Sequence, residues 1–509
     1  MLLANTQQIR LADAIQIEEY QYPGILLMEK AGTLVVERVC EDYDIHQPFL
    51  CLIGPGNNGG DAWVIARELH LKGYQVLGLC SHSRDRYKGD AQIMFQVAEK
   101  VGMKWQEFDA ETVNYWIANQ AKPPILIDGL LGTGVKQEVR GVIKDMLTFF
   151  SRKALPTIAI DLPSGLNADS GRIQNEVLPA EKTYTFQLPK VCHQVTPASL
   201  ACGEVVVLDI GIFPQVVERL GIKREILDKD WFRENFQKRK SDSHKGSMGH
   251  VLLIGGSKAM GGALLLSALG AKHSGVGLST CVSIDINRQL VLSQIPEAMF
   301  AGVGGDEDLE PTHLEKILPF LEKKKAVCIG PGMGNVKATA DLLHLLLPHI
   351  KIPLVLDAGA LSALAVYPEL WDLLPEHTVL TPHPGEMRRL MPGEDVIYQR
   401  LEVAEKLASE KECIVVLKGQ GTIIAGAEKT YVNTTGNAGM ASGGTGDVLT
   451  GIIGSFLAQG YEAEKAATLA CYLHGAAGDF VAKQDHENGL LASSLAKSIG
   501  PTILSLLKN

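Results

Sequence analysis

Short runs of consecutive apolar residues alternate with helix-length amphipathic stretches along most of the 509 residues. After an amphipathic stretch over 6–40, the apolar run Phe49–Ile53 meets a glycine loop and a helical pattern over 62–71, then a second run at 75–80. The runs at 125–127 and Thr157–Ile160 are each followed by an aspartate, Asp128 or Asp161, and a glycine-containing turn, with further strands expected near 184–188 and 205–210. Strands that are apolar throughout, separated by helices, predict a parallel sheet covered on both faces. The alternation lapses over 213–245, and 233–245 is polar and dense in charge, which predicts a linker there. A second cycle then opens with a strand at His250–Ile254, a glycine loop, a helix over 263–273 and a strand at 277–282. Strands at Ala326–Ile329, Leu354–Leu356, Thr378–Leu380 and Ile414–Leu417 follow, then a long glycine loop that enters a helix at Asp447. The halves share no repeat, so two different α/β domains are expected.

Length supports this division, because single cores stop growing near roughly 250–300 residues. With 46% hydrophobic and 21% charged residues, the chain has the balance of a globular protein. A net charge of −10 supplies no positive field for a nucleic-acid backbone, so no nucleic-acid partner is expected. The nine cysteines form no Cys-x-x-Cys pair, and Cys51, Cys80, Cys281 and Cys328 lie in apolar runs. They are expected as core residues in a reducing cytoplasm. No signal peptide or membrane span is predicted.

In the first half, Gly54-Pro55-Gly56-Asn57-Asn58-Gly59 follows a strand and opens a helix, the context of a phosphate-binding dinucleotide loop. The acidic residue such a site needs after the next strand is missing. Ser81, His82, Ser83, Arg84 and Arg86 stand there, so a standard NAD site is not predicted. Asn57, Asn58 and Asp61 add polar groups that a pyrophosphate cradle does not require. Asp128 and Asp161 end strands whose C-terminal edge lines the ligand crevice of an open sheet. Either could merely cap a helix. Together with the Asn-Asn loop they could ligate a hard cation, which selects oxygen donors.

The three ordered segments 57–61, 128–134 and 161–166 (NNGGD, DGLLGTG and DLPSGL) resemble the NAD(P)H-hydrate epimerase domain, over about the first 220 residues. That resemblance implies a Rossmann-like three-layer αβα domain over 1–222. It implies that Asn57, Asn58, Gly59, Gly60 and Asp61, with Gly132, Thr133, Gly134, Val135, Lys136, Gln137 and Glu138, bind the hydrated dinucleotide. Asn58, Asp128 and Ser164 would hold K+, and Asp161 would be the proton-transfer residue or a direct substrate contact. The sequence departs from the family at Ala62, usually glycine, and at Lys30, usually asparagine.

In the second half, the segment from Gly436 through Gly443-Gly444-Thr445-Gly446-Asp447 runs straight into an apolar helical pattern. Backbone N–H groups converging at a helix start form an anion hole for a transferring phosphoryl group. Asp447 could deprotonate an attacking hydroxyl there. Alone, it reads better as a helix cap, but a cap does not need so many glycines. Lys418-Gly419-Gln420-Gly421-Thr422 follows a strand and offers a cation and a turn for a nucleotide phosphate. His383, in the segment 381–386 (TPHPGE), could face the crevice, and the segment 330–335 (GPGMGN) is another strand-to-loop turn.

In order, these segments resemble the ADP- or ATP-dependent NAD(P)H-hydrate dehydratase domain, related to the ribokinase-like kinases. The resemblance implies a ribokinase-like α/β domain over 223–509. Ala263, Gly334, His383 and Asp447 would contact the hydrate, Lys418 to Thr422 and Gly446 would bind the nucleotide, and Asp447 would be the base. Mg2+ and the co-substrate ADP are implied, although no carboxylate cluster in the sequence marks a magnesium site. The reaction implied is phosphorylation of the ring hydroxyl followed by loss of phosphate. Fusing the two domains lets both epimers of the hydrate be repaired, and a cytoplasmic homo-oligomer acting on small molecules is expected. The alternatives are a ribokinase-like small-molecule kinase, or a first half that serves as a non-catalytic nucleotide-binding or scaffold module.

Overall fold

The computed structural model describes residues 1–508. The chain folds as two compact units, Leu2–Lys223 and Arg224–Asn509, the second including Met1. In the first unit the strands are β1 (Phe49–Ile53), β2 (Val76–Cys80), β3 (Trp105–Glu107), β4 (Ile125–Gly129), β5 (Thr157–Ile160), β6 (Lys182–Phe186) and β7 (Glu204–Leu208). They form one sheet in the order β3-β2-β1-β4-β5-β6-β7, parallel throughout.

The reason β1 is apolar at every position is visible in its alternation. Phe49, Cys51 and Ile53 pack into one core with Trp63, Val35 and Phe95. Leu50 and Leu52 point into a second core with Met146, Leu147 and Phe150 on the other face. The strand order reverses between β1 and β4, which opens a crevice beyond their C-terminal ends. The helix after β1 begins at Asn57, not near Ala62, so Asn57 and Asn58 stand in its first turn rather than in a loop.

The second unit contains β8 (Arg224–Ile226), β9 (His250–Ile254), β10 (Leu278–Ser283), β11 (Met299–Gly302), β12 (Ala326–Ile329), β13 (Leu354–Leu356), β14 (Thr378–Leu380), β15 (Ile414–Leu417), β16 (Ile423–Ala425) and β17 (Thr430–Val432). Their order is β11-β10-β9-β12-β13-β14-β15-β16-β17-β8. The sheet is parallel from β11 to β15, antiparallel at β15–β16 and β16–β17, and parallel again at β17–β8. The expected linker over 233–245 is therefore corrected. β8 is an integral edge strand, and the helix Lys229–Asn235 buries Phe232, which stacks on Tyr472. The charged residues beyond Asn235 belong to an exposed loop inside the second unit, between that helix and β9.

The helix Thr445–Ala458 is buried along most of its length and lies against the helix Gly261–His273 and strands β9 and β12. No helix is long and apolar enough to cross a membrane among the described residues. The nine cysteines are free thiols, and all but Cys40 are buried.

Candidate functional site

In the first unit, a cleft of about 910 Å3 opens at the reversal of strand order. It is lined by Asn57, Asn58 and Asp61, by the whole segment from Gly132 to Glu138, and by Asp161, which brings together three stretches far apart in sequence. Gly59 and Gly60 stand apart from them. A Cβ on Gly59 would lie 1.8 Å from the Gly54 carbonyl oxygen, and one on Gly60 would lie 2.6 Å from Met28. Their lack of a side chain serves the packing of the helix start. Ala62 is fully buried against Gly129, so the departure from the family pattern is absorbed in the core.

Asp128, Ser164 and Asn58 are linked through the backbone of Leu131. Asp128 is fully buried and accepts from Ser164 Oγ at 2.6 Å and from the Ser164 N–H at 2.8 Å. Ser164 Oγ also accepts from the Leu131 N–H at 2.9 Å, and Asn58 Nδ2 donates to the Leu131 carbonyl at 2.9 Å. Burial, opposed by the Ser164 and Leu130 hydrogen bonds, pushes the Asp128 carboxyl up to about 6. One carboxylate among amide, hydroxyl and carbonyl oxygens is a donor set suited to a hard cation of low charge. Among the described residues, no group of three or more His, Cys, Asp or Glu side chains is arranged to hold a metal ion, so any cation here depends on neutral oxygens.

Asp161 follows β5 with a backbone φ of +65°, in the left-handed region that costs a non-glycine residue roughly 1–3 kcal/mol. It is held there from both sides. Its N–H donates to the Tyr184 carbonyl at 2.8 Å, and its carbonyl lies 2.9 Å from His193 Nε2. Because His193 Nδ1 accepts from the Lys190 N–H, the ring proton sits on Nε2 and is donated to Asp161. The Asp161 carboxylate accepts from Lys190 Nζ at 2.5 Å and from Thr185 Oγ1 at 3.0 Å. Burial acts to raise this carboxyl, but the adjacent Lys190 ammonium outweighs it and holds the group below the usual aspartate range. Lys190 is itself only 1% exposed. Neither Lys190 nor Asp13, which also lines the cleft, was expected from the sequence. A buried lysine carries no local signature, and Asp13 sits on an ordinary amphipathic helix, Thr6–Ala14.

In the second unit, Gly444 precedes the helix Thr445–Ala458 with φ +94°, a turn that favours glycine. The first backbone amide paired in this helix is that of Val448, to the Gly444 carbonyl at 3.2 Å. The N–H groups of Thr445, Gly446 and Asp447 are thus left for a ligand or solvent. The turn is fixed from behind. His474 Nε2 contacts the Thr445 carbonyl at 2.8 Å, and Asp479 accepts from the Gly436 N–H and from Asn437 Nδ2, both at 2.9 Å.

Asp447 faces a charged group that the sequence had not revealed. Asp357, at the end of β13, is 1% exposed, accepts from Thr450 Oγ1 at 2.7 Å and pairs with Lys418 Nζ at 3.0 Å. Glu386 Oε2 lies 4.0 Å from the same ammonium. Burial, the Asp357 charge and the Glu386 charge, opposed by Lys418, push Asp447 up to about 7. The Lys418 ammonium, expected on a nucleotide phosphate, is directed inward to Asp357. Asp357 carried the same signal as Asp128 and Asp161, an aspartate closing a buried strand, and could have been found by it.

The turn from Gly419 to Thr422 projects outward, braced by Arg400, which donates to the Gln420 carbonyl at 2.6 Å and the Lys418 carbonyl at 3.2 Å. Gly446 approaches this lysine, since a Cβ there would lie 3.2 Å from Lys418 Nζ. Ala263, in the first turn of the helix Gly261–His273, donates its N–H to the Met260 carbonyl at 3.3 Å, and a Cβ on Gly334 would lie 3.0 Å from the end of the Met260 side chain, so both stand next to Met260. His383 caps the helix Pro384–Leu390, its Nδ1 accepting from the Gly385 N–H at 2.9 Å, and its ring remains half exposed.

The family matches follow this division. Residues 25–192 match the family described as YjeF-related protein N-terminus, and residues 251–501 match NAD(P)H-hydrate dehydratase. A bifunctional NAD(P)H-hydrate repair enzyme from Moorella thermoacetica is 35% identical, covering 97% of this chain and 95% of its own. The chain belongs to this family. A namesake from Escherichia coli is 30% identical over 96% of this chain and 90% of its own. An ADP/ATP-dependent NAD(P)H-hydrate dehydratase from Bacillus subtilis, crystallised with ATP and Mg2+, is 32% identical with a TM-score of 0.50. It covers 55% of this chain and 98% of its own.

Proposed function

We propose that the first unit interconverts the epimers of hydrated NADH and NADPH, and that the second dehydrates the S epimer at the expense of ADP, yielding AMP, phosphate and the reduced nucleotide. The observation that carries this reading is the coexistence, in a chain matching bifunctional repair enzymes along nearly its whole length, of two separate acid sites, Asp161 paired with Lys190 and Asp447 in the charge field of the Lys418–Asp357 pair.

In the second unit, Asp447 takes the proton of the ring hydroxyl as that oxygen attacks the terminal phosphoryl group of ADP and AMP departs. The unpaired amides from Thr445 to Asp447 receive the charge of the transferring group. Phosphate is a far better leaving group than hydroxide, so the ring nitrogen then expels it, and loss of a proton from the neighbouring carbon restores the double bond of the reduced ring. A Mg2+ ion would neutralise charge on the nucleotide phosphates. The turn from Gly419 to Thr422 binds the nucleotide, while Ala263, Gly334 and His383 frame the hydrate. In the first unit, Asn57, Asn58, Gly59, Gly60, Asp61 and the segment from Gly132 to Glu138 bind the dinucleotide, Asp161 moves the proton, and K+ is held by Asn58, Asp128 and Ser164.

A net charge of −10 fits small-molecule substrates rather than nucleic acid, and we place the protein in the cytosol as a homo-oligomer. The full-length relatives favour this reading over a small-molecule kinase fused to a non-catalytic module. Supplying purified protein with mixed NADH-hydrate epimers tests it. Reduced-nicotinamide absorbance should return with ADP, and its return with neither ADP nor ATP would refute the dehydratase assignment.

A further inference from the structure

Around Asp161 the first unit's cleft gathers three carboxyls about a single buried ammonium, while its other lining cations, Arg10, Lys136 and Arg140, act on none of the three. Asp13, Asp61 and Asp161 all line it, and Lys190 is the ammonium within their electrostatic reach. The three are not equivalent. Asp161 has Lys190 Nζ at 2.5 Å and Thr185 Oγ1 at 3.0 Å on one oxygen. The carboxyl of Asp61, on the first turns of the helix Asn57–Leu71, has no hydrogen bond or ion pair among the described residues and meets only the charges of Asp161, Asp13 and Lys190.

We propose that Asp61 and Asp161 form the proton donor and proton acceptor of the first unit, with the buried Lys190 as the positioning residue that assigns the two roles. This rests on the epimerase reading given above and specifies its machinery. A carboxyl without a cation, beside other carboxylates in a buried site, keeps its proton, and one in contact with an ammonium releases it. The electrostatics agree with the contacts. Burial first, then the charges of Asp161 and Asp13, push Asp61 well above the usual range, whereas Lys190 overcomes burial at Asp161. Asp13, pushed up to about 6 by burial, adds repulsion on the Asp61 side, and His193, pushed down to about 4 by burial and by Lys190, stays neutral.

The chemistry balances with water as the only co-reactant. The carbon–oxygen bond of the hydrate breaks as the ring nitrogen lone pair forms a carbon–nitrogen double bond, and the hydroxyl leaves as water with the proton of Asp61. Water then adds to the opposite face of that carbon, the nitrogen recovers its lone pair, and the proton released goes to Asp161. The two carboxyls have exchanged states, which is the state needed for the reverse inversion.

The test follows epimerisation of a single NADH-hydrate epimer by the full chain in potassium buffer. Asp61→Asn should lower kcat by roughly a hundredfold, the low end of general acid–base contributions, with KM nearly unchanged. Lys190→Met should move the acid limb of the kcat profile to higher pH, since Asp161 loses the cation that ionises it, and Lys190→Arg should restore the limb. An infrared difference spectrum between wild type and Asp61→Asn at pH 7 should contain a protonated-carboxyl band, a readout that holds even if Lys190→Met does not fold. Unchanged kcat in Asp61→Asn, an unmoved limb in a folded Lys190→Met, or absence of that band would each overturn the couple. Asp161→Asn separates this from the underlying reading. If it is inactive while Asp61→Asn is active, the couple alone fails, and if it remains active, the assignment of Asp161 fails as well.

Discussion

Lys418 directs its ammonium at Asp357, 3.0 Å away, and this buried pair lies within the charge field of Asp447. Asp447 is pushed up to about 7 by burial and by the Asp357 charge, so a dehydratase that needs it ionised gains activity as pH rises through that value. Replacing Asp357→Asn removes a repelling charge and should move that limb to lower pH by roughly one unit. The same variant leaves Lys418 with Glu386 at 4.0 Å and should lose about 3 kcal/mol of stability. A kcat–pH profile and a denaturant titration read both effects.

Asp447 also couples function to stability. Its folded-state value of about 7 lies above the ordinary 3.8, so folding favours the protonated form. Its share of stability is intact below about pH 4 and is lost as pH rises through 7. Asp447→Asn should therefore unfold at higher denaturant than wild type at pH 8, by on the order of 2 kcal/mol, with the difference vanishing at pH 4. Dehydration should fall at least about a hundredfold.

Arg400 holds the carbonyls of Lys418 and Gln420 from behind the exposed turn. Arg400→Met should loosen that turn and raise the KM for ADP several-fold while kcat changes little, the signature of lost ground-state binding. Initial rates at varied ADP measure it.

Gly59 tolerates no side chain, because a Cβ would sit 1.8 Å from the Gly54 carbonyl oxygen. Gly59→Ala should cost the first unit about 3 kcal/mol and abolish epimerisation. Thermal unfolding of the full chain should show an earlier transition.

Ser164 donates to Asp128 and faces Asn58 through Leu131. If these oxygens hold potassium, exchanging K+ for tetramethylammonium should depress epimerisation reversibly. Ser164→Ala should raise the KCl concentration for half-activity by roughly tenfold. Titration of activity with KCl decides it.

Much of this arrangement was legible in the chain because buried parallel strands write themselves as short apolar runs, and β1, β5, β9, β12, β13, β14 and β15 fall where those runs stand. The edge strands β3, β8 and β11 were missed, since edge pairing needs no apolar run, and the inner strands β16 and β17 were missed because three residues are too few to write a pattern. Motif residues that touch ligand loops, such as Asn58, Asp161 and Asp447, announce themselves by glycine-rich neighbours. Residues that tune them do not. Lys190 and Asp357 act through burial and a partner distant in sequence, 29 residues away at Asp161 for the first and 61 away at Lys418 for the second. Asp13 comes from a helix outside the matched 25–192 segment.

Two active sites with complementary tasks in one chain can be told apart by single-site variants assayed on an equal mixture of NADH-hydrate epimers with ADP. Wild type should recover all the reduced nucleotide. In the time that takes, Asp161→Asn should stop near the S-epimer fraction, and Asp447→Asn should recover none while still interconverting the epimers. Full recovery by Asp161→Asn at the wild-type rate, or any comparable recovery by Asp447→Asn, would rule out this division of tasks between the two sites.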